Sequence, residues 1–571
     1  MSLKFALLGP LCAAALAFGP PAARAGDVIL VHGHIYTGNP AAPWVSALAV
    51  RNGHIEAVGD DAQVRAHAAR GAHSIDLHGR TVIPGIVDSH MHMLYGALAL
   101  HGLNLSTPQA SLTPDKPDEL IARLRDYAAA HPHDAVLLGR ADFSTVPPTT
   151  PSHEILDRAV PDRPVVIHNT SEHALWLNAA ALALAGLNDR PVADPDAERG
   201  VVRDASGHAT GVLLEAAMQL AARPVLERIP REEQLAMLTE ASRYLNSFGI
   251  TSVVNATGDL DEIRLYATLR DRGMLTVRTR TAFGAVAVPH HLTPQLLADL
   301  DEARRLYHDD WVAANLVKFF ADGSTGLLPP LVYEPHAYEE LVRALDQRGY
   351  QLMTHALRAD SVHVILDTYE RLEQTQGTRD RRLRIEHADL IDAADLPRFA
   401  ALGVTADMQP TFCCGEQGGN FDTTHPITSD RWHSLTASGA HLAFSSDWPC
   451  TWPPDPFVSM QESVTRAVWA SADTANVAGG SVDGAAQGGA RTTGAVYEPT
   501  ERISIEEAVQ AYTRGSAYAA FADDRGTLEV GKLADLAVLS QDVFAARADN
   551  IAKTHVVLTM VGGKVVYEAT P

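Results

Sequence analysis

From about residue 82 to about residue 520 the chain repeats one theme, a short apolar run followed by a stretch with helical periodicity. That alternation constrains the chain to an α/β fold built on a parallel sheet. Residues 81–87, 135–138, 164–167, 250–254, 315–320, 350–354, 383–385 and 442–445 read as strands. Residues 277–282 and 404–408 read the same way, so the candidates outnumber the eight strands of a single barrel. No repeat of solenoid period runs through the sequence. Residues 469–497 are rich in Gly, Ala, Ser and Thr and read as a long surface loop.

The two ends follow a different pattern. Val28, Leu30, Ile35 and Tyr36 flank a turn at Gly33. Residues 47–50 and 55–58 flank Asn52-Gly53, and residues 556–561 and 565–567 flank Gly562-Gly563. Both dipeptides are two-residue hairpin signals. With a further run at 536–539, these strands predict one small β domain assembled from both termini, residues 26–81 and 521–571, around an 82–520 middle. Residues 1–25 read as a secretory signal, with Lys4, an apolar stretch from Phe5 to Phe18 and a small-x-small site at Ala23-Arg24-Ala25. The stretch is too short to span a bilayer and contains Pro10. No other stretch is long and apolar enough to do so. The expectation is an exported protein, periplasmic or extracellular, with no membrane anchor.

The 46 basic and 69 acidic residues leave a net charge of −23. That balance argues against nucleic acid or an anionic membrane as the main partner. Four cysteines exclude a disulfide scaffold. Removal of the signal takes Cys12 and leaves Cys413, Cys414 and Cys450, each read as a buried small hydrophobe. The 26 histidines direct attention to metal chemistry.

Histidines, one lysine and one aspartate sit where apolar runs end. His90 and His92 are two apart, so on an extended strand both can face one ion, with Asp88 beneath them. Lys318 lies inside the run Leu316-Val317-Lys318-Phe319-Phe320, where a lysine is buried only if paired or neutralised. A buried lysine has a depressed pKa and a nucleophilic amine, able to add carbon dioxide and become an anionic ligand. His355 ends one run and Asp447 another; His387 ends a third, on one face with Leu383 and Ile385. Strand C-terminal ends converge on one mouth in a parallel α/β barrel. Nitrogen and carboxylate donors suit Zn²⁺ or a similar divalent ion, one or two per chain.

These residues, carried by "VIPGIVDSHMH", "VKFFADGSTG", "QLMTHA", "LRIEHADL", "AFSSDWP" and "GTLEVGKLADLAVL", resemble the amidohydrolase superfamily. The closer likeness is to its amidohydrolase-3 branch, which includes N-substituted formamide deformylases. Weaker matches are "DRPVVIHNTSEHALWLNAAAL", "TGVLLEAA" and "QPTF". The resemblance covers essentially all of the chain after the signal. It implies a distorted (β/α)8 TIM barrel with a β-sandwich from both termini. It implies His90 and His92 on one metal, carboxylated Lys318 as a bridge, His355 and His387 on a second metal, and Asp447 as metal-proximal general base. His173 is by the same resemblance a substrate-side candidate. Two departures stand out. The stretch after the third histidine reads Leu357-Arg358-Ala359-Asp360, and Leu327-Leu328-Pro329-Pro330 replaces a polar stretch and implies an apolar rim. Cys413-Cys414, close to the expected mouth, offer thiolates that could join the metal.

The activity expected is hydrolysis of a non-peptide carbon–nitrogen bond, in an amide, N-formyl, N-acyl or cyclic amide group. Hydroxide generated at the metal attacks the carbonyl, a histidine such as His387 assists, and Asp447 serves as general base and then acid. The partner is a small amide-type molecule; a homo-oligomer is compatible with the sequence. The alternative is an exported, non-catalytic metal-binding or regulatory protein on the same fold.

Overall fold

The computed structural model describes residues 27–67, 71–107, 110–111, 117–144, 150–170, 173–187, 190–284, 292–322, 335–413, 429–469 and 496–570. The expected signal with Cys12, residues 327–330, Cys414 and nearly all of the expected loop lie outside the described residues.

Eight parallel strands pair in chain order: β1 (Ile86–Met91), β2 (Ile250–Gly258), β3 (Arg278–Gly284), β4 (Val312–Phe320), β5 (Gln351–Ala356), β6 (Arg384–His387), β7 (Thr405–Met408) and β8 (His441–Phe444). The sheet curls until its edges meet. There the Asp447 N–H donates to the His90 carbonyl at 2.8 Å and the His92 N–H to the Trp448 carbonyl at 2.7 Å. The result is a nearly closed barrel with its seam at the C-terminal ends. Trp448 fits this seam because Gly96 lacks a side chain; a Cβ there would lie 2.1 Å from the indole.

Inside the barrel, Val254, Ala256, Ala282, Leu316 and Met353 pack as an apolar floor. Side chains alternate along a strand, so the residues two further on, Lys318 beyond Leu316 and His355 beyond Met353, stand above that floor at the mouth. The fold thus lifts polar groups to the rim and seals them from below.

The terminal runs form two facing sheets. One orders the strands His54–Gly59, Ala47–Arg51, Val28–Val31 and His73–Asp76. The other orders Lys564–Glu568, Val556–Val561, Leu536–Leu539, Thr81–Pro84, His34–Tyr36 and Trp44–Val45, mixing both ends of the chain. Val28, Leu30, Leu48 and Val50 from the first pack on Val82, Leu536, Val538 and Met560 from the second. Asn52 and Gly53 take φ of 51° and 81°, and Gly562 and Gly563 of 55° and 74°, as two-residue hairpin turns require. The runs around Gly33 do not make a hairpin, because the chain crosses there from one sheet to the other.

The expected strand list needs correction. The run at 81–87 is two strands, one in each architecture, split at Gly85. The runs at 277–282 and 404–408 belong to the barrel. Those at 135–138 and 164–167 do not. They contribute to a mixed six-stranded sheet inserted between β1 and β2, in the order Val201–Arg203, Ala209–Leu214, Ala174–Leu177, Val165–Asn169, Leu137–Ala141, Leu103–Asn104. Its residues alternate between two buried faces. Leu137, Val165, Ile167, Trp176 and Val212 pack on the insertion's own helices. Leu138, Val166, Leu175 and Leu213 pack toward Leu94 and Leu98 of the helix Met93–His101 that follows β1. With both faces covered, these strands read as continuous apolar runs, as barrel strands do. Among the described residues no helix is long and apolar enough to cross a membrane.

Candidate active site

The mouth of the barrel collects His90 from β1, His92 just beyond it, Lys318 from β4, His355 from β5, His387 at the end of β6 and Asp447 beyond β8. All six line one cavity. The ligand atoms of His90, His92 and Asp447 lie within 4.8 Å of one another. The rings of His90 and His387 are 4.9 Å apart, and those of His355 and His387 4.5 Å.

Side chains deeper in the barrel fix how the imidazoles point. Arg384 is fully buried; its guanidinium donates to both Glu386 oxygens at 2.9 and 2.7 Å, to Asp407 at 2.8 Å and to the Ser89 carbonyl at 2.7 Å. Glu386 so held accepts from His90 Nδ1 at 2.6 Å. Gln409 donates to Ser445 Oγ at 2.8 Å, Ser445 donates to Asp407 at 2.6 Å, and Gln409 Oε1 therefore accepts from His387 Nδ1 at 2.7 Å. His90 and His387 thus keep their protons on Nδ1 and turn Nε2 lone pairs to the cavity. His92 Nδ1 lies 2.7 Å from Thr257 Oγ1.

These donors converge with too few hydrogens to satisfy them. Asp447 Oδ1 stands 3.2 Å from His92 Nε2 and 3.5 Å from His90 Nε2. Asp447 Oδ1 and His355 Nε2 are buried without a hydrogen-bond partner. Lone pairs and a carboxylate oxygen aimed at one space fit a divalent cation. Burial pushes His387 down to about 3 and His90 and His355 well below the usual imidazole range, so all three are neutral, as ligands must be. Burial also opposes the charge on Asp447, but the imidazoles of His90 and His92 outweigh it and hold the carboxyl well below its ordinary value. Lys318 is 1% exposed; burial brings its amine down to about 8, against the pull of Glu386 and Asp447. Its Nζ lies 3.2 Å from His90 Nε2.

Two of the cradle residues depart from extended backbone. His387 has φ of 67° and Asp447 of 53°, a region costly for side-chain-bearing residues and frequent at functional sites. The twist at His387 corrects the expectation that it shares a face with Leu383 and Ile385. Those two pack outward in the main core, whereas His387 rotates inward beside Glu386.

His173 comes from the inserted sheet. Its ring is 5.8 Å from that of His355, and its Nδ1 pairs with Glu215 at 3.0 Å. Glu215 follows the strand Ala209–Leu214 with φ of 49°, and its N–H donates to the His173 carbonyl at 3.1 Å. Cys413 is buried and disulfide-bonded, so neither the inert thiol nor the metal thiolate expected there holds. Cys450 lines the cavity instead.

A family model described as the amidohydrolase family matches residues 73–567. The chain belongs to the amidohydrolase family. It is a hydrolase acting on carbon–nitrogen bonds. This amidohydrolase is 28% identical to Protein LONG AFTER FAR-RED 3 of Arabidopsis thaliana, over 96% of this chain and 93% of the relative. It is 25% identical to the N-substituted formamide deformylase of Arthrobacter pascens, over 95% and 99%. An uncharacterized metal-dependent hydrolase from Pyrococcus furiosus shares its fold at a TM-score of 0.64 and 24% identity, covering 91% of this chain and 100% of that one. Atrazine chlorohydrolase TrzN from Arthrobacter aurescens TC1, complexed with zinc, does so at 0.52 and 16%, covering 95% of each.

The sequence reading missed the orienting residues of the amidohydrolase site: Arg384, Glu386, Asp407, Gln409, Ser445, Thr257 and Glu215. A signal existed for two of them. Arg384 and Glu386 alternate with the apolar residues of their strand, and two charges on one face of a barrel strand must find each other inside.

Proposed function

We propose that the substrate is a small molecule carrying an N-formyl, N-acyl or cyclic amide group, and that His90, His92, Lys318, His355, His387 and Asp447 hold one or two divalent ions, zinc or similar. When bound, such an ion lowers the pKa of water toward about 7 and polarises the carbonyl. Asp447, kept ionised between His90 and His92, takes the proton of the attacking water. It then delivers that proton to the nitrogen as the carbon–nitrogen bond breaks. His387, neutral and fixed by Gln409, would act at the developing oxyanion only as a ligand of the ion that polarises the carbonyl. His173, oriented by Glu215, faces the substrate from the inserted sheet.

Lys318 deepens this reading. With its amine near 8, a fraction of it is neutral at neutral pH. That nitrogen can add carbon dioxide and lose a proton to solvent, which gives a carbamate whose anionic oxygens would serve as metal ligands. The observation that carries the function is the convergence of His90 Nε2, His92 Nε2 and Asp447 Oδ1 in one cavity, with Asp447 Oδ1 buried and without a hydrogen-bond partner. A non-catalytic metal protein on this fold has no use for an ionised Asp447 held by strained backbone.

A panel of N-formyl and N-acetyl amines tests the proposal. Hydrolysis should vanish on chelation, return with zinc, and be absent in Asp447→Asn. Hydrolysis that survives both treatments contradicts it. We also place the protein outside the cytoplasm, on residues 1–25; a secreted form beginning near Gly26 is expected, and an uncleaved cytoplasmic chain would refute that.

A further inference from the structure

A cavity of about 390 Å³ adjoins the metal cradle. Tyr95, Gln219 and Thr257 line both spaces, so the two are neighbours on the side of His92. It lies beyond the C-terminal ends of β2 and β3, between the helices Gln219–Leu226 and Leu260–Asp271. Leu94, Leu226 and Leu265 give it an apolar wall.

Its polar groups are unbalanced. Glu227, Asp259, Asp261 and Glu262 face two cations, Arg223 and Arg231. Arg223 is engaged with Glu227 at 3.1 Å and Asp261 at 3.7 Å. Glu262 is the acid set deepest in the structure. Its Oε1 accepts from Asn255 Nδ2 at 2.9 Å and from the Tyr266 hydroxyl. Its Oε2 has no hydrogen-bond donor among the described residues. Gly258 leaves that oxygen uncovered, because a Cβ there would stand 2.9 Å from it. The space beside the cradle therefore has an apolar wall and more acids than cations.

We propose that this cavity is a subsite for a substituent of the substrate, an apolar chain or ring ending in a protonated amine that donates to Glu262. Charge supports the choice. An ammonium group would donate to Glu262 Oε2 and favour its ionised form, whereas a carboxylate would meet a surplus of acids. Burial pushes Glu262 up to about 8, and a bound cation would reverse that. The substrates singled out are amines acylated at one nitrogen and cationic at another. The proposal rests on the hydrolase reading for the identity of the visitor, but its binding can be measured without turnover.

The test is calorimetric titration of the metal-loaded protein with pentylamine, and with pentan-1-ol as the uncharged counterpart. Wild type, Glu262→Gln and Leu226→Trp are compared, with folding checked by circular dichroism. Pentylamine should bind about tenfold more tightly than pentan-1-ol in wild type. Glu262→Gln should erase that selectivity, and Leu226→Trp should weaken both ligands. Equal affinity for the two probes in wild type overturns the subsite, and so does a preference for pentylamine that survives Glu262→Gln. Amine selectivity in a protein that hydrolyses none of the amides would sustain the subsite and count against the hydrolase reading alone.

Discussion

The barrel mouth and the inserted sheet supply the same cavity by different means. In the barrel, ligands sit above an apolar floor, His90 and His387 oriented by a carboxylate and an amide beneath them. Arg384, Glu386 and Asp407 form a buried network that holds His90, and through Ser445 and Gln409 it reaches His387. In the insertion, His173 is held by Glu215, at the start of a short helical turn. The difference teaches that the chemistry is anchored in the barrel, while the insertion adjusts what the chemistry meets. Damage to the first should remove metal or turnover outright. Damage to the second should alter rate and selectivity with the metal still bound.

The largest effect expected is on Asp447→Asn, which removes the proton acceptor and should lower kcat by about 10³-fold or more, read in a chelator-controlled amide assay. Arg384→Met comes next. It leaves Glu386 and Asp407 as buried, uncompensated charges and should cost about 3–5 kcal/mol in denaturant unfolding. His173→Gln should reduce kcat/KM by roughly 10–10² while elemental analysis shows an unchanged metal content. A metal loss in His173→Gln would break the division between the two regions.

A further prediction concerns pH. Glu262 rises from 4.5 in the unfolded chain to about 8 when folded, so between those values the native state binds more protons than the unfolded one. Stability should therefore fall as pH rises through that window, by up to ~1.4 kcal/mol per unit. Glu262→Gln should flatten the slope in urea titrations at about pH 5, 6.5 and 8; an unchanged slope would remove Glu262 as its source.

The same contrast explains what was legible in the sequence. The cradle was readable because His90, Lys318, His355 and Asp447 each interrupt or follow an apolar run. The facing of His387 was not readable, because it depends on a positive φ that no neighbouring glycine signals. The insertion was the harder part. Leu137–Ala141 and Val165–Asn169 are apolar on both faces, as barrel strands are, and local pattern does not tell which sheet a strand joins. That choice is made by long-range pairing, with Val165–Asn169 lying antiparallel to Ala174–Leu177 and parallel to Leu137–Ala141. The hairpins at Asn52-Gly53 and Gly562-Gly563 were legible for the opposite reason, since the turn chemistry is wholly local.

Metal content tests the central claim most directly. Elemental analysis of the purified protein, before and after reconstitution with zinc, should be run beside Lys318→Ala. The account predicts about two divalent ions per chain in wild type and their loss in the variant. A wild-type chain that takes up no metal, or a variant that keeps the full complement, would contradict it.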